Sequence, residues 1–268
     1  MRATDGLTSP PSILLLGGRG RLGWELQRAL APLGPVRALD LDSEPAADLA
    51  RPETLPALLD ALAPDVVVNA AAWTAVDRAE AEPEAAHRVT ALASLYGYGR
   101  SKLDGEGRIA ASGCHHLVLR TSWLYAARGD NFVRTVLRLA ATRDTLDVVH
   151  DQVGAPTGAE LLADVTAHAL RRVRAEPSLG GLYHCAAAGD VSRHGLAQFA
   201  VDRARARGLP LRLRADGLRA VSTAALPSPA SRPLNSRLDT RRLCSTFGLV
   251  LPPWQDGVRR MLDETAAA

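Results

Sequence analysis

The sequence predicts an α/β fold around a mainly parallel sheet, and three observations carry that prediction. Short apolar runs alternate with amphipathic stretches of helical period as far as Arg120. A glycine-rich loop, Gly17-Gly-Arg-Gly20-Arg-Leu-Gly23, stands between the first apolar run and the first helical stretch. An acidic residue, Asp40, closes the second run about twenty residues later, where such folds meet an adenosine ribose. Together they describe a Rossmann-like, doubly wound parallel sheet that binds a dinucleotide.

The elements follow in order. Residues 13–16 are four consecutive aliphatics and read as a short buried strand. The spacing Gly-x-x-Gly-x-x-Gly then lets backbone amides approach a pyrophosphate at the start of a helix expected near 22–30. Without that strand and helix around it, the motif would be a plain tight turn. A second strand is expected at 36–40. The Asp40 carboxylate repels a 2′-phosphate and favours NAD, but Arg19 or Arg37 can counter it, so the cofactor is NADPH or NADH. A helix near 53–62 leads to a strand at 65–69 with three consecutive valines. Helices around 78–92 and 98–111 and a strand at 117–120 complete the regular part. From Trp123 onward the elements are expected to be less regular, and the proline-rich stretch 227–233 has the composition of a binding loop. The expected division is a loose tail over 1–12, a dinucleotide-binding domain over 13–122 and a smaller, mainly substrate-binding lobe over 123–268. Parts of that lobe are expected to return to the first domain.

Bulk properties exclude several classes. The net charge of +3 comes from scattered arginines, a solvated surface and not a nucleic-acid footprint. Cys114, Cys185 and Cys244 are far apart and odd in number, as expected for reduced thiols of a cytoplasmic protein. No apolar run approaches the length of a membrane span, and the opening residues have no signal-peptide core.

Lys102 is the only lysine, against 31 arginines, and it lies four positions after Tyr98 in Tyr98-Gly-Arg-Ser-Lys102. Residues at i and i+4 of a helix share a face, where an ammonium lowers the pKa of a phenol and makes it a usable proton donor near neutral pH. The plain alternative is a surface pair.

With these residues in place the sequence resembles the dTDP-4-dehydrorhamnose reductases, extended short-chain dehydrogenases of the nucleotide-sugar type. The matching segments run in order along the chain. They include Asp65-Val-Val-Val-Asn-Ala-Ala-Ala72, Tyr98-Gly-Arg-Ser-Lys-Leu-Asp-Gly-Glu106, Arg120-Thr-Ser-Trp123, Asp151-Gln-Val-Gly-Ala-Pro-Thr157 and Arg232-Pro-Leu-Asn-Ser-Arg237. The resemblance implies reduction of the C4 ketone of dTDP-4-dehydro-L-rhamnose by a nicotinamide hydride. By the same resemblance Tyr98 donates the proton and Lys102 binds the nicotinamide ribose. Gly17, Gly20, Arg21 and Leu22 hold the pyrophosphate, with Ala70, Ala71 and Thr74 lining the nucleotide groove. Trp123, Asn131, Arg232, Asn235 and Ser236 face the dTDP-4-keto-sugar. Some family members place Mg2+ at a homodimer interface through glutamates; the matching positions are Glu25, Glu160 and Glu264, which have no ligand spacing of their own.

One departure stands out. The family carries a strand and an active-site loop with Ser-Thr-Asp before the catalytic tyrosine, yet only seven residues separate Thr90 from Tyr98. A βαβ unit needs roughly thirty residues. Roughly forty residues are therefore expected to be absent, one central strand among them, and Ser94 and Ser101 are the nearest hydroxyls left. An oxyanion donor is worth on the order of 3 kcal/mol, so the alternative reading is a catalytically impaired dinucleotide binder. The strands at 65–69 and 117–120 either pair directly or leave a groove between them.

Overall fold

The computed structural model describes residues 9–72, 98–226 and 232–265, the side chains of 98–101 and 265 excepted. The helix expected at 78–92, Thr74, Ser94 and most of the proline-rich stretch lie outside those residues.

Strand β1 (Ile13–Leu16) is wholly buried because its aliphatic side chains alternate between two cores. Ile13 and Leu15 pack with Leu26 and Leu30 of α1 (Arg21–Leu30) and with Ala163. Leu14 and Leu16 pack on the other face with Leu39 and Leu58. Strands β2 (Val36–Leu39) and β3 (Val66–Asn69) pair parallel with the two edges of β1, in the order β2-β1-β3. Helix α2 (Leu55–Leu62) supplies Leu58 to the second core, so the sheet is wound on both faces. The helix expected from residue 53 starts later, because Pro52–Thr54 form a 3-10 turn. Pro56 sits in the first turn of α2, where a missing N–H has no intrahelical acceptor to lose.

Helix α3 (Tyr98–Ala111) and β4 (Leu117–Arg120) have the bounds the sequence predicts. Among the described residues β4 does not join β1–β3. It pairs parallel with β9 (Gly181–His184), a strand from the far half of the chain. Of the two outcomes expected for the shortened sheet, direct pairing of β3 with β4 is not found among the described residues. No residue of β1 exceeds 7% exposure, whereas Val67 in β3 is 47% exposed and Leu103 on α3 is 60% exposed.

The second half is more regular than the sequence suggests. Short strands β5 (Leu124–Tyr125) and β8 (Thr157–Gly158) pair with each other, as do β6 (Leu146–Val149) and β11 (Leu218–Val221). A third group, β10-β7-β12, joins β10 (Val191–Ser192), β7 (Val153–Gly154) and β12 (Asn235–Ser236). Helices α4 (Phe132–Ala140), α5 (Ala159–Ala175), α6 (Arg193–Ala206), α7 (Arg241–Phe247) and α8 (Trp254–Thr265) enclose them. Helix α5 bridges the halves: its Ala163 packs under β1, while Leu162, Val165 and Val173 join Tyr183, Leu243 and Phe247.

Candidate active site

The glycine loop has the geometry a pyrophosphate needs. Gly17 has φ +81°, which strains any residue with a side chain, and a Cβ there would lie 2.6 Å from the Ala71 amide nitrogen. A Cβ on Gly23 would lie 1.9 Å from the Gly17 carbonyl oxygen, so that glycine sets the close approach of α1 to the loop. Helix α1 begins after Gly20 with no side-chain cap and no acidic residue in its first turn, which leaves its amides and positive dipole end open to an anion. Arg21 donates from Nη1 to the Asp130 carbonyl at 2.8 Å, tying the loop to the connection before α4. Asp40 accepts a hydrogen bond from the Arg19 amide at 3.0 Å, and the Arg19 guanidinium pairs with Asp42. The acid expected at the ribose thus also braces the loop, and a cation lies beside it. Ala70 donates to the Leu16 carbonyl and Ala71 to Asn69 Oδ1, both at 2.9 Å, which fixes the groove wall opposite Gly17.

Helix α3 carries the Tyr98–Lys102 pair, and the Tyr98 side chain lies outside the described residues. Burial brings the Lys102 ammonium down to about 8, against the upward pull of Glu106 one turn on. Glu106 in turn receives Arg120 through both carboxylate oxygens, Nε at 2.9 Å and Nη2 at 2.6 Å. This bidentate pair ties α3 to the end of β4. Just beyond it the Thr121 and Ser122 hydroxyls are buried, with no hydrogen-bond partner among the described residues. They lie past the carboxyl end of a parallel strand, where ligands of open α/β sheets bind. An unsatisfied buried hydroxyl is costly and calls for a ligand or water. Both lie in the matching segment Arg120-Thr-Ser-Trp123, although no role was expected for either from the sequence.

The residues expected at the sugar nucleotide gather around β10-β7-β12. Trp123 has φ +43°, a strained value for a side-chain-bearing residue, and its ring crowds Gly154 of β7 so closely that a Cβ there would lie 2.7 Å away. Asn235 and Ser236 form β12 against the same strand, and Arg232 is exposed just before them. Asn131 is placed differently. It is the N-cap of α4: its Oδ1 accepts from the Arg134 amide at 3.0 Å and its Nδ2 donates to the Ala126 carbonyl at 2.7 Å. Both halves of its amide are engaged inside the fold. Arg193 joins this group without having been expected. Its guanidinium lies 3.8 Å from the centre of the Trp123 ring and 4.9 Å from that of Phe132.

Glu25, Glu160 and Glu264 come from α1, α5 and α8 and lie within electrostatic reach of one another. Burial first, and then Glu264, Glu25 and Asp164, raise the Glu160 carboxyl, with Arg260 opposing. Guanidinium groups already serve this cluster. Arg28 bonds Glu25 at 3.3 Å and Asp164 at 2.9 Å, and Arg260 stands 3.6 Å from Glu160. Among the described residues no three such side chains are arranged to hold a metal ion. The expectation of Mg2+ gains no support from one chain, in which arginines stand beside Glu25 and Glu160.

The family model described as the RmlD substrate binding domain matches residues 11–96 and 94–267. A dTDP-4-dehydrorhamnose reductase of Escherichia coli (strain K12) is 44% identical, over 94% of this chain and 97% of its own. One from Burkholderia thailandensis is 41% identical, over 92% and 96%. The E. coli alignment spans 293 positions yet uses 94% of a 268-residue chain, leaving roughly forty positions with no residue here. The family match is split at 94–96, where the short connection before Tyr98 lies. Among solved structures, a dTDP-4-dehydrorhamnose reductase of Bacillus anthracis in complex with NADP superposes with TM-score 0.83 at 24% identity, over 96% of this chain and all of that one. A Clostridium acetobutylicum dTDP-4-dehydrorhamnose reductase gives TM-score 0.82 at 28% identity, over 95% and 99%. By glycine loop, single lysine, lobe motifs and full-length likeness alike, the chain belongs to the RmlD family of dTDP-4-dehydrorhamnose reductases.

Proposed function

We propose that this protein reduces the C4 ketone of dTDP-4-dehydro-L-rhamnose to give dTDP-L-rhamnose. The observation that carries the reading is the desolvated Lys102 on α3, four residues from Tyr98, in a chain of this family. Bound NADPH or NADH supplies the hydride. The chain's own residues do the rest. Gly17, Gly20, Arg21 and Leu22 hold the pyrophosphate against the open end of α1, with Ala71 as the facing wall. Tyr98 gives its phenolic proton to the oxygen that becomes the C4 hydroxyl, and the Lys102 ammonium lowers the phenol's pKa so that the transfer is downhill. The buried hydroxyls of Thr121 and Ser122 point to hydrogen bonds made only when ligand is present. Trp123, Arg232, Asn235 and Ser236 orient the sugar nucleotide from the lobe formed mainly by residues 123–268, which closes over the dinucleotide domain of residues 13–122. A catalytically impaired binder is not needed to account for any of these features.

The direct test is to incubate the purified protein with NADPH or NADH and the 4-keto-sugar nucleotide and to identify the product by NMR. The expected product has the C4 configuration of L-rhamnose. Recovery of unchanged ketone from protein that binds NADPH contradicts the reading.

A further inference from the structure

Arg193 is a cation in a place that favours none. It is the first residue of α6, at the positive end of the helix dipole, where a cation is disfavoured. Burial first, and then the positive field of Arg232, bring the Arg193 guanidinium down to about 10. Among the described residues no carboxylate pairs with it and no acceptor takes its side-chain N–H groups. The acid nearest in sequence, Asp190, lies 3.8 Å from Arg237 instead. Its side-chain contacts are the rings of Trp123 and Phe132, which offer a π face but no hydrogen-bond acceptor in the plane of the fork.

The position is nonetheless built. The Arg193 amide donates to the Gln152 carbonyl at 3.0 Å, Ser192 pairs with Val153 in the sheet, and the Ser192 hydroxyl caps the Gly195 amide at 2.9 Å. Gly154 leaves room for the Trp123 ring on which the guanidinium rests. A stacked guanidinium loses little freedom on binding and presents a rigid set of donors suited to phosphate oxygens.

We propose that Arg193 is a substrate-binding residue whose guanidinium, held over Trp123 beside Arg232, takes the diphosphate of the sugar nucleotide. This rests on the reading of the protein as a dTDP-sugar reductase and adds to it the group that recognises the diphosphate. A doubly charged anion complements the Arg193 guanidinium at the helix N-terminus.

The test is calorimetric titration of the full-length protein with dTDP, for wild type, Arg193→Gln and Arg193→Lys, with NADPH titrated as the control. Loss of a charge-assisted fork predicts a Kd for dTDP about ten- to a hundredfold higher in Arg193→Gln, with Arg193→Lys in between and the Kd for NADPH unchanged. The KM for the keto-sugar should rise by more than kcat falls. An unchanged dTDP Kd in Arg193→Gln overturns the proposal. So does an equal loss of NADPH affinity, which marks a structural role, or a wild type that does not bind dTDP. Arg193-dependent dTDP binding without turnover of the keto-sugar contradicts the reductase reading and leaves the diphosphate subsite standing.

Discussion

Lys102 has a pKa of about 8, set by burial and opposed by Glu106. Below that value it is an ammonium, the form that the proposed mechanism needs beside Tyr98; as pH rises through it the charge is lost. The value of kcat/KM for keto-sugar reduction should therefore fall as pH rises through about 8, and a profile flat to pH 10 would refute that role. The same shift has the opposite sign for stability. Folding favours the neutral amine, so this lysine's contribution improves as pH rises from about 8 toward its unfolded value of 10.5. A second residue-scale prediction concerns Ala63, the left-handed C-cap of α2 at φ +40°. Ala63→Gly should raise stability by about 0.5–1 kcal/mol, read from the urea midpoint, because glycine adopts that conformation without strain. Legibility at this scale was uneven. Gly17, Gly20 and Lys102 stand out by spacing or rarity, and the structure places each in a matching environment. Asn131 carries the same family motif weight, yet its amide serves as a helix cap, which no sequence pattern separates from a ligand contact. Arg193 is one arginine among 31, and only its stacking on Trp123 singles it out.

At the scale of elements, the exposure of β3 stands out. Parallel strands are ordinarily buried on both faces, yet Val67 is half exposed while Leu15 is fully buried. Val67→Thr should change stability by no more than about 0.5 kcal/mol, whereas Leu15→Ala should cost about 2–5 kcal/mol. Urea denaturation of both variants checks the contrast. A large loss from Val67→Thr would mean that something covers β3 in solution. The first four long strands were legible because each is a compact apolar run flanked by turn residues, and α3 because Tyr98–Ala111 is bounded by glycine-rich sequence. The second half was not. Its strands β5, β7, β8, β10 and β12 are two residues long, too short for any alternation to register. The buried stripe of α6 is Leu196, Ala197, Ala200, Val201 and Ala204, so alanine hides its core face from a hydropathy pattern. That β3 and β4 do not pair was one of two outcomes left open, since strand count does not decide whether flanking strands close up.

For the whole molecule, roughly forty positions of the E. coli relative have no counterpart here, and the chain still follows the family over nearly all its length. Family likeness and topology agree because the elements to which both ligands are assigned in the proposal are present: β1 with its loop, α3 with its lysine, and the β10-β7-β12 group with Trp123. No helix among the described residues is long and apolar enough to cross a membrane. The central claim is that Tyr98 and Lys102, on this shortened sheet, support reduction of a 4-keto-sugar nucleotide. It is tested most directly by following NADPH absorbance with dTDP-4-dehydro-L-rhamnose for wild type and Tyr98→Phe side by side. The account predicts substrate-dependent loss of absorbance in wild type and a fall of at least about a hundredfold in Tyr98→Phe, with NADPH affinity kept. Equal rates in the two proteins, or no turnover in a wild type that binds NADPH, would contradict it.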